Sequence, residues 1–172
     1  MIPRIQKILY ATDLSQNSAY AFRYAINSAV KHDAEMIILH VLEQMSAANQ
    51  AYANLYLGEA QSQKLAEDRI RHAIELIRKR LKTFCEVELK GNPEYENRIK
   101  LIEVCEGFPA EVILRTANEL NCDAIVMGAH GKDRITYTFF GSTAKRVLRR
   151  TRKPVFIIPL PHGEIDISFH DE

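Results

Sequence analysis

The segment "AIVMGAHGKDRITYTFFGSTAKRVLRR", Ala124 to Arg150, decides the fold. A short apolar run ends in Gly128. Gly131 follows with two residues between and Gly141 with nine more between, and Ser142, Thr143 and a helical period come behind it. The whole chain has only 7 glycines. Gly128 and Gly131 let a backbone turn sharply and approach a ligand with no Cβ in the way. Gly141, Ser142 and Thr143 form the first turn of the next helix, where unpaired N–H groups and partial positive charge favour anions. The two hydroxyls add donors. Read physically, this is a phosphate cradle with two walls; the plainer reading is three turn glycines and a serine at a helix start. Neither G-x-x-x-x-G-K-[ST] nor G-x-G-x-x-G is present.

Working outward, residues 5–11 and 34–43 are apolar and β-compatible, and the second is a nearly continuous apolar run of the kind buried on both faces of a parallel sheet. Between them Asp13 and Ser15 supply helix-start chemistry, and Ala19, Phe22, Ile26, Ala29 and Val30 recur at helical spacing over 15–31. Residues 44–58 have no strong period; the insert 43–60, with Tyr52 and Tyr56, is either a lid over a pocket or extra helix packing on itself. Leu65, Ile70, Ala73, Ile74, Ile77, Leu81 and Phe84 mark one face of a long helix. Gly91, Asn92 and Pro93 break the chain before a strand at 99–106. A helix opens at 107–120 with Pro109 early, where its missing N–H costs nothing. Strands follow at 122–129 and 153–160, with a helix from 141 to 150 between them and Ala144, Val147 and Leu148 inward. The order βαβ, long helix, βαβαβ predicts an α/β fold: an open five-stranded parallel sheet with helices on both faces. Ligands in such sheets sit beyond the C-terminal strand ends, where strand order reverses.

At 172 residues the chain suits one domain, 1–160, with a polar tail, 161–172, that is mobile or a docking strap. A formal net charge of +1 recruits neither nucleic acid nor an anionic membrane. The basic cluster Lys145, Arg146, Arg149, Arg150, Arg152 and Lys153 complements a helix C-terminus and is too short for a nucleic-acid interface. No apolar run approaches the ~20 residues that span a bilayer. Cys85, Cys105 and Cys122 are odd in number and widely spaced, which fits free thiols in a reducing, cytoplasmic setting.

The spacing G-x2-G-x9-G-[ST] resembles the nucleotide-binding signature of the universal stress protein family. "KILYATDLS", "AEMIILHVLE", "GFPAEVILRTANELNCDAIVMGAHG" and "GSTAKRVLRRTRKPVFIIP" are similar to its first strand, its second strand, its third helix with fourth strand, and its last helix with edge strand. The resemblance spans about Arg4 to Pro159. It implies a Rossmann-like, adenine nucleotide alpha hydrolase-like sheet of order 3-2-1-4-5, and ATP as ligand, with Mg2+ or Mn2+. Carried over by position, Asp13 and Val41 (through its backbone) would hold the adenine end, and Ala11 would border the ribose. Met127, Gly128, His130 and Gly131 would line ribose and phosphates, and Gly141, Ser142 and Thr143 would bind the phosphates. Where the family often has a further Gly after the second one, this chain has Lys132-Asp133-Arg134-Ile135; Lys132 or Arg134 either reaches the phosphates or is a solvated loop charge. The family pairs its last strand across a two-fold, and "VFII", residues 155–158, is apolar enough for such an edge.

Asp13 has a plainer role as the N-cap of the following helix, His130 as an exposed loop residue, and His40 as a satisfied core residue. Three functions follow: an ATP-binding stress or signalling protein whose nucleotide regulates a homodimer; a slow ATP hydrolase or adenylyl transferase; or a dimeric interaction module without nucleotide. The enzyme reading lacks a clear general base and a phosphate-binding lysine in a P-loop.

Overall fold

The computed structural model describes residues 2–130, 140–161 and 166–169. Five parallel strands form the sheet: β1 (Lys7–Thr12), β2 (Glu35–Glu43), β3 (Ile99–Gly107), β4 (Ala124–Gly128) and β5 (Val155–Ile158), in the order β3-β2-β1-β4-β5. The helices are α1 (Gln16–His32), α2 (Ala47–Leu57), α3 (Glu59–Glu88), the single turn α4 (Pro93–Glu96), α5 (Pro109–Glu119) and α6 (Ser142–Arg150).

Side chains alternate across each strand, so β1 sends Ile8 and Tyr10 to one face and Leu9 and Ala11 to the other. The first face packs on α1 and the C-terminal half of α3. There Tyr10, Phe22 and Phe84 stack edge to face in series, with centroids 5.6 and 5.0 Å apart. The second face packs on α5 and α6 through Leu39, Ile113, Ile125 and Val147. Both faces of β1 are buried, which is why its sequence shows no polar alternation.

Strand limits differ from the sequence reading for local reasons. β1 starts at Lys7 rather than residue 5, because the N–H groups of Gln6 and Lys7 donate to Asp123 Oδ2 (2.8 and 2.9 Å). β5 is shorter than 153–160, since Pro154 and Pro159 flank it and neither has an N–H for the ladder. Leu148, expected inward on α6, is 40% exposed.

The insert forms a helix. Ser46 caps α2 by accepting from Asn49 N, and Gly58, at φ 76°, makes the break into α3. α2 buries no residue. It lies on α3 through polar groups, with Gln50 Nε2 donating to Ser62 Oγ at 3.3 Å.

Residues 166–169 lie against the α1–α3 face. Ile167 and Phe169 are buried in the first core, with Phe169 4.2 Å from Phe84 ring to ring. Arg23 holds Asp166 (2.8 Å) and Arg80 donates to Phe169 O (2.7 Å). This short piece is therefore a strap, and its apolar residues carry it. Cys85, on α3, is a free thiol pushed up to about 12 by burial and then by Glu86; burial also raises Cys105 and Cys122.

Candidate nucleotide site

Strand order reverses between β1 and β4. Beyond the C-terminal strand ends there lies a cleft of about 400 Å³, a size that suits a small-molecule ligand. Its lining includes Ala11 of β1 and Asp13 just after it, Val41 of β2, Met127, Gly128 and His130 at the end of β4, and Gly141, Ser142 and Thr143 at the start of α6. The remaining expected residue, Gly131, lies outside the described residues, as do Lys132 and Arg134.

The first wall is a fixed polar network. Thr12 Oγ1 contacts Ser18 Oγ at 2.9 Å and accepts from Leu14 N at 3.1 Å. Asp13 Oδ1 accepts from Ser15 N at 3.0 Å, and Ser15, not Asp13, caps α1 by accepting from Ser18 N. These bonds on either side hold Leu14 at φ 63°, a conformation that a branched side chain rarely takes. Tyr10 donates to Ser18 O at 2.6 Å, and burial raises its phenol well above the ordinary range. His40 Nδ1 pairs with Thr12 O at 2.8 Å, as expected of a satisfied core histidine.

The second wall is built from backbone. Gly141 N donates to Ala129 O at 2.8 Å, which ties the end of β4 to the start of α6. That bond uses Gly141's own N–H, so among the described residues the open donors are those of Ser142, Thr143 and Ala144. The first backbone bond of α6 is Lys145 N to Gly141 O, and no side chain among the described residues caps the helix. His130 Nε2 is buried with no hydrogen-bond partner among the described residues. Such a group costs about 1–3 kcal/mol unless something in the cleft satisfies it.

Gly128 has a reason beyond the one its sequence suggests. A Cβ there would meet the Asn17 side chain at 3.0 Å and the Asn17 backbone at 3.3 Å, so the glycine gives α1 room to approach. Asn17 itself escapes the sequence reading. It sits in the first turn of α1, and its partners lie more than a hundred positions away. Thr12, Ser18, Leu39, Pro109 and Ile113 also line the cleft without a motif to announce them.

No Lys or Arg among the described residues lines the cleft, whereas Asp13 and Glu43 do. Among the described residues, attraction for an anion therefore falls to the α6 terminus and the Ser142 and Thr143 hydroxyls. A larger hollow of about 600 Å³ between α1 and α4, beside Tyr20, Tyr24 and Tyr95, lies away from the glycine segment. Among the described residues, no helix is long and apolar enough to cross a membrane, and no three His, Cys, Asp or Glu side chains gather to hold a metal ion.

Residues 4–159 match the model of the Universal stress protein family. The chain is 28% identical over 153 residues to Universal stress protein MJ0577 of Methanocaldococcus jannaschii, covering 89% of this chain and 94% of that one. A solved structure of MJ0577 superposes with a TM-score of 0.64 at 23% identity, covering 94% of this chain and all (100%) of that one. A universal stress protein solved in complex with cAMP gives a TM-score of 0.54 at 20% identity, covering 91% of this chain and 98% of that one. With the family model matching nearly the whole chain and the 3-2-1-4-5 sheet in agreement, this protein belongs to the universal stress protein family.

Proposed function

We propose that the cleft binds ATP together with Mg2+ or Mn2+, and that the nucleotide regulates a homodimer paired through β5, with at most slow hydrolysis. One observation carries this reading: Ser142, Thr143 and Ala144, whose N–H groups have no cap among the described residues, line the same cleft as Val41 and Asp13. A phosphate chain at α6 leaves an adenine within reach of the β1 and β2 ends. Asp13 and the Val41 backbone would then hold the base and Ala11 would border the ribose. Met127, Gly128, His130 and Gly131 would follow the ribose and phosphates. Ser142 and Thr143 would bind phosphate oxygens, and Gly141 would hold the wall that presents them.

The cation has a physical role. Without lysine or arginine among the described lining, a divalent ion carried by the phosphates offsets both their charge and that of Asp13 and Glu43. The cAMP complex of a relative of like fold supports an adenine nucleotide in such a cleft. β5 has one neighbour in the sheet, and Phe156 is 41% exposed, which supports the pairing edge. Three free thiols support a reducing, cytoplasmic setting.

Titration calorimetry with MgATP tests the reading, using Gly141→Asp as the probe. Aspartate is a favoured N-cap and Gly141 already has extended backbone (φ −57°, ψ 158°), so the fold keeps its helix. The added charge repels phosphate, and affinity should fall at least about tenfold, or 1.4 kcal/mol. Equal affinity in the variant contradicts the cradle. A slow hydrolase is the second reading, favoured by the buried Nε2 of His130, which has no hydrogen-bond partner among the described residues. ATP turnover no faster than buffer alone removes it.

A further inference from the structure

We propose that Asn17 is a positioning residue that couples the occupancy of the cleft to the edge strand β5. The inference rests on the nucleotide reading above and adds a route from the ligand to the pairing edge.

Asn17 is 2% exposed, in the first turn of a helix where asparagine commonly turns to water or to a nearby backbone group. Here its amide does two long-range tasks. Oδ1 accepts from His130 N at 2.8 Å, and Nδ2 donates to Ile158 O at 3.0 Å. The same Ile158 carbonyl accepts from Ala129 N at 2.9 Å, and Ala129 O accepts from Gly141 N at 2.8 Å. One connected set of bonds therefore joins the start of α6, the turn after β4, the first turn of α1 and the last residue of β5.

The chemistry requires an amide. The site presents one donor, His130 N–H, and one acceptor, Ile158 C=O, to a single short side chain. Aspartate offers no donor and alanine offers neither group. The requirement extends to Gly128, whose missing Cβ leaves the space that the Asn17 amide fills. A ligand seated against His130 and the α6 terminus pulls on a turn that cannot shift without moving the Ile158 carbonyl. Interior packing and hydrogen-bonded networks transmit such displacements because they have few alternative arrangements.

Amide exchange and ¹⁵N spectra of the full chain, with and without MgATP, test the link. In the wild type, MgATP should slow exchange of the β5 amides several-fold and shift the Asn17 side-chain NH2 signals together with the Ala129 amide. In Asn17→Ala, MgATP should still bind, weakened by no more than about tenfold, while the β5 response disappears. In Asn17→Asp, which keeps the acceptor for His130 N–H and loses the donor to Ile158, the β5 response should disappear as well. A wild type that binds MgATP with unmoved Asn17 side-chain signals overturns the coupling, and this measurement needs no variant to fold. An Asn17→Ala protein whose β5 responds like the wild type overturns it too. A wild type that gives no binding heat overturns the nucleotide reading and the coupling with it, and is recognised by calorimetry alone.

Discussion

α1 and α2 begin alike and end differently. Each leaves the C-terminal end of a strand in the same sheet, and each is capped by a serine that accepts from the backbone three residues on. α1 then buries Ala19, Phe22, Ala25, Ile26 and Ala29 against the sheet, and its polar residues Asn17 and Ser18 are buried too. α2 buries nothing. Its polar Gln50 bonds to α3, while Tyr52 and Tyr56 stand 64% and 85% exposed. A cap sets where a helix starts. Only an apolar face matched to the sheet makes that helix part of the cooperative core.

The contrast predicts a graded set of effects. Phe22→Ala opens a cavity between Tyr10 and Phe84 and should lower stability by about 3–5 kcal/mol in urea unfolding. A loss below about 1 kcal/mol would mean that the first core re-closes around the gap. Removal of the α1 cap by Ser15→Ala should cost about 1 kcal/mol. The matching Ser46→Ala should leave global unfolding unchanged while speeding amide exchange within 47–57, because α2 opens alone. Equal global losses from the two serines would erase the distinction. Tyr56→Ser, at a fully solvated position, should stay within about 0.5 kcal/mol of the wild type.

The smallest effect concerns the strap. The Arg23 guanidinium, through its hydrogen bond and then its charge, holds the Asp166 carboxyl below the usual carboxylate range. Its stabilisation is therefore present above the unfolded-state pKa and is lost as pH falls through the depressed native value. Asp166 is highly exposed, so the contribution is small. Acid unfolding curves of the wild type and Asp166→Asn should differ slightly near neutrality and merge at low pH. A difference that grows toward low pH would contradict the assignment.

Period and punctuation made the sheet legible. The apolar runs at 34–43 and 124–127 have the composition of doubly buried strands, and the glycine segment marks the switch point. α2 was legible only as one of two alternatives because residues 44–58 carry no burial period to read; its limits are set by the Ser46 cap and Gly58. For the tail the sequence left a strap and a mobile end open, since Ile167 and Phe169 stand among polar neighbours and their buried partners lie in α1 and α3. Within the site, residues on strand ends and in the glycine motif could be found by position along the chain. Asn17 could not, because its two bonds span 113 and 141 positions. Nor did the motif reveal that Gly128 also makes room for Asn17: a glycine facing a helix and a glycine facing a ligand look the same in one sequence.

The most direct test of the account is where an adenine nucleotide lands. A ¹⁵N spectrum of the chain titrated with MgATP should show saturable shifts largest at Val41, Gly128, Ser142 and Thr143, the residues that converge on the cleft from three separate elements. Shifts gathered instead at Tyr20, Tyr24 and Tyr95 in the α1–α4 hollow, or a spectrum that does not change at millimolar nucleotide, would contradict it.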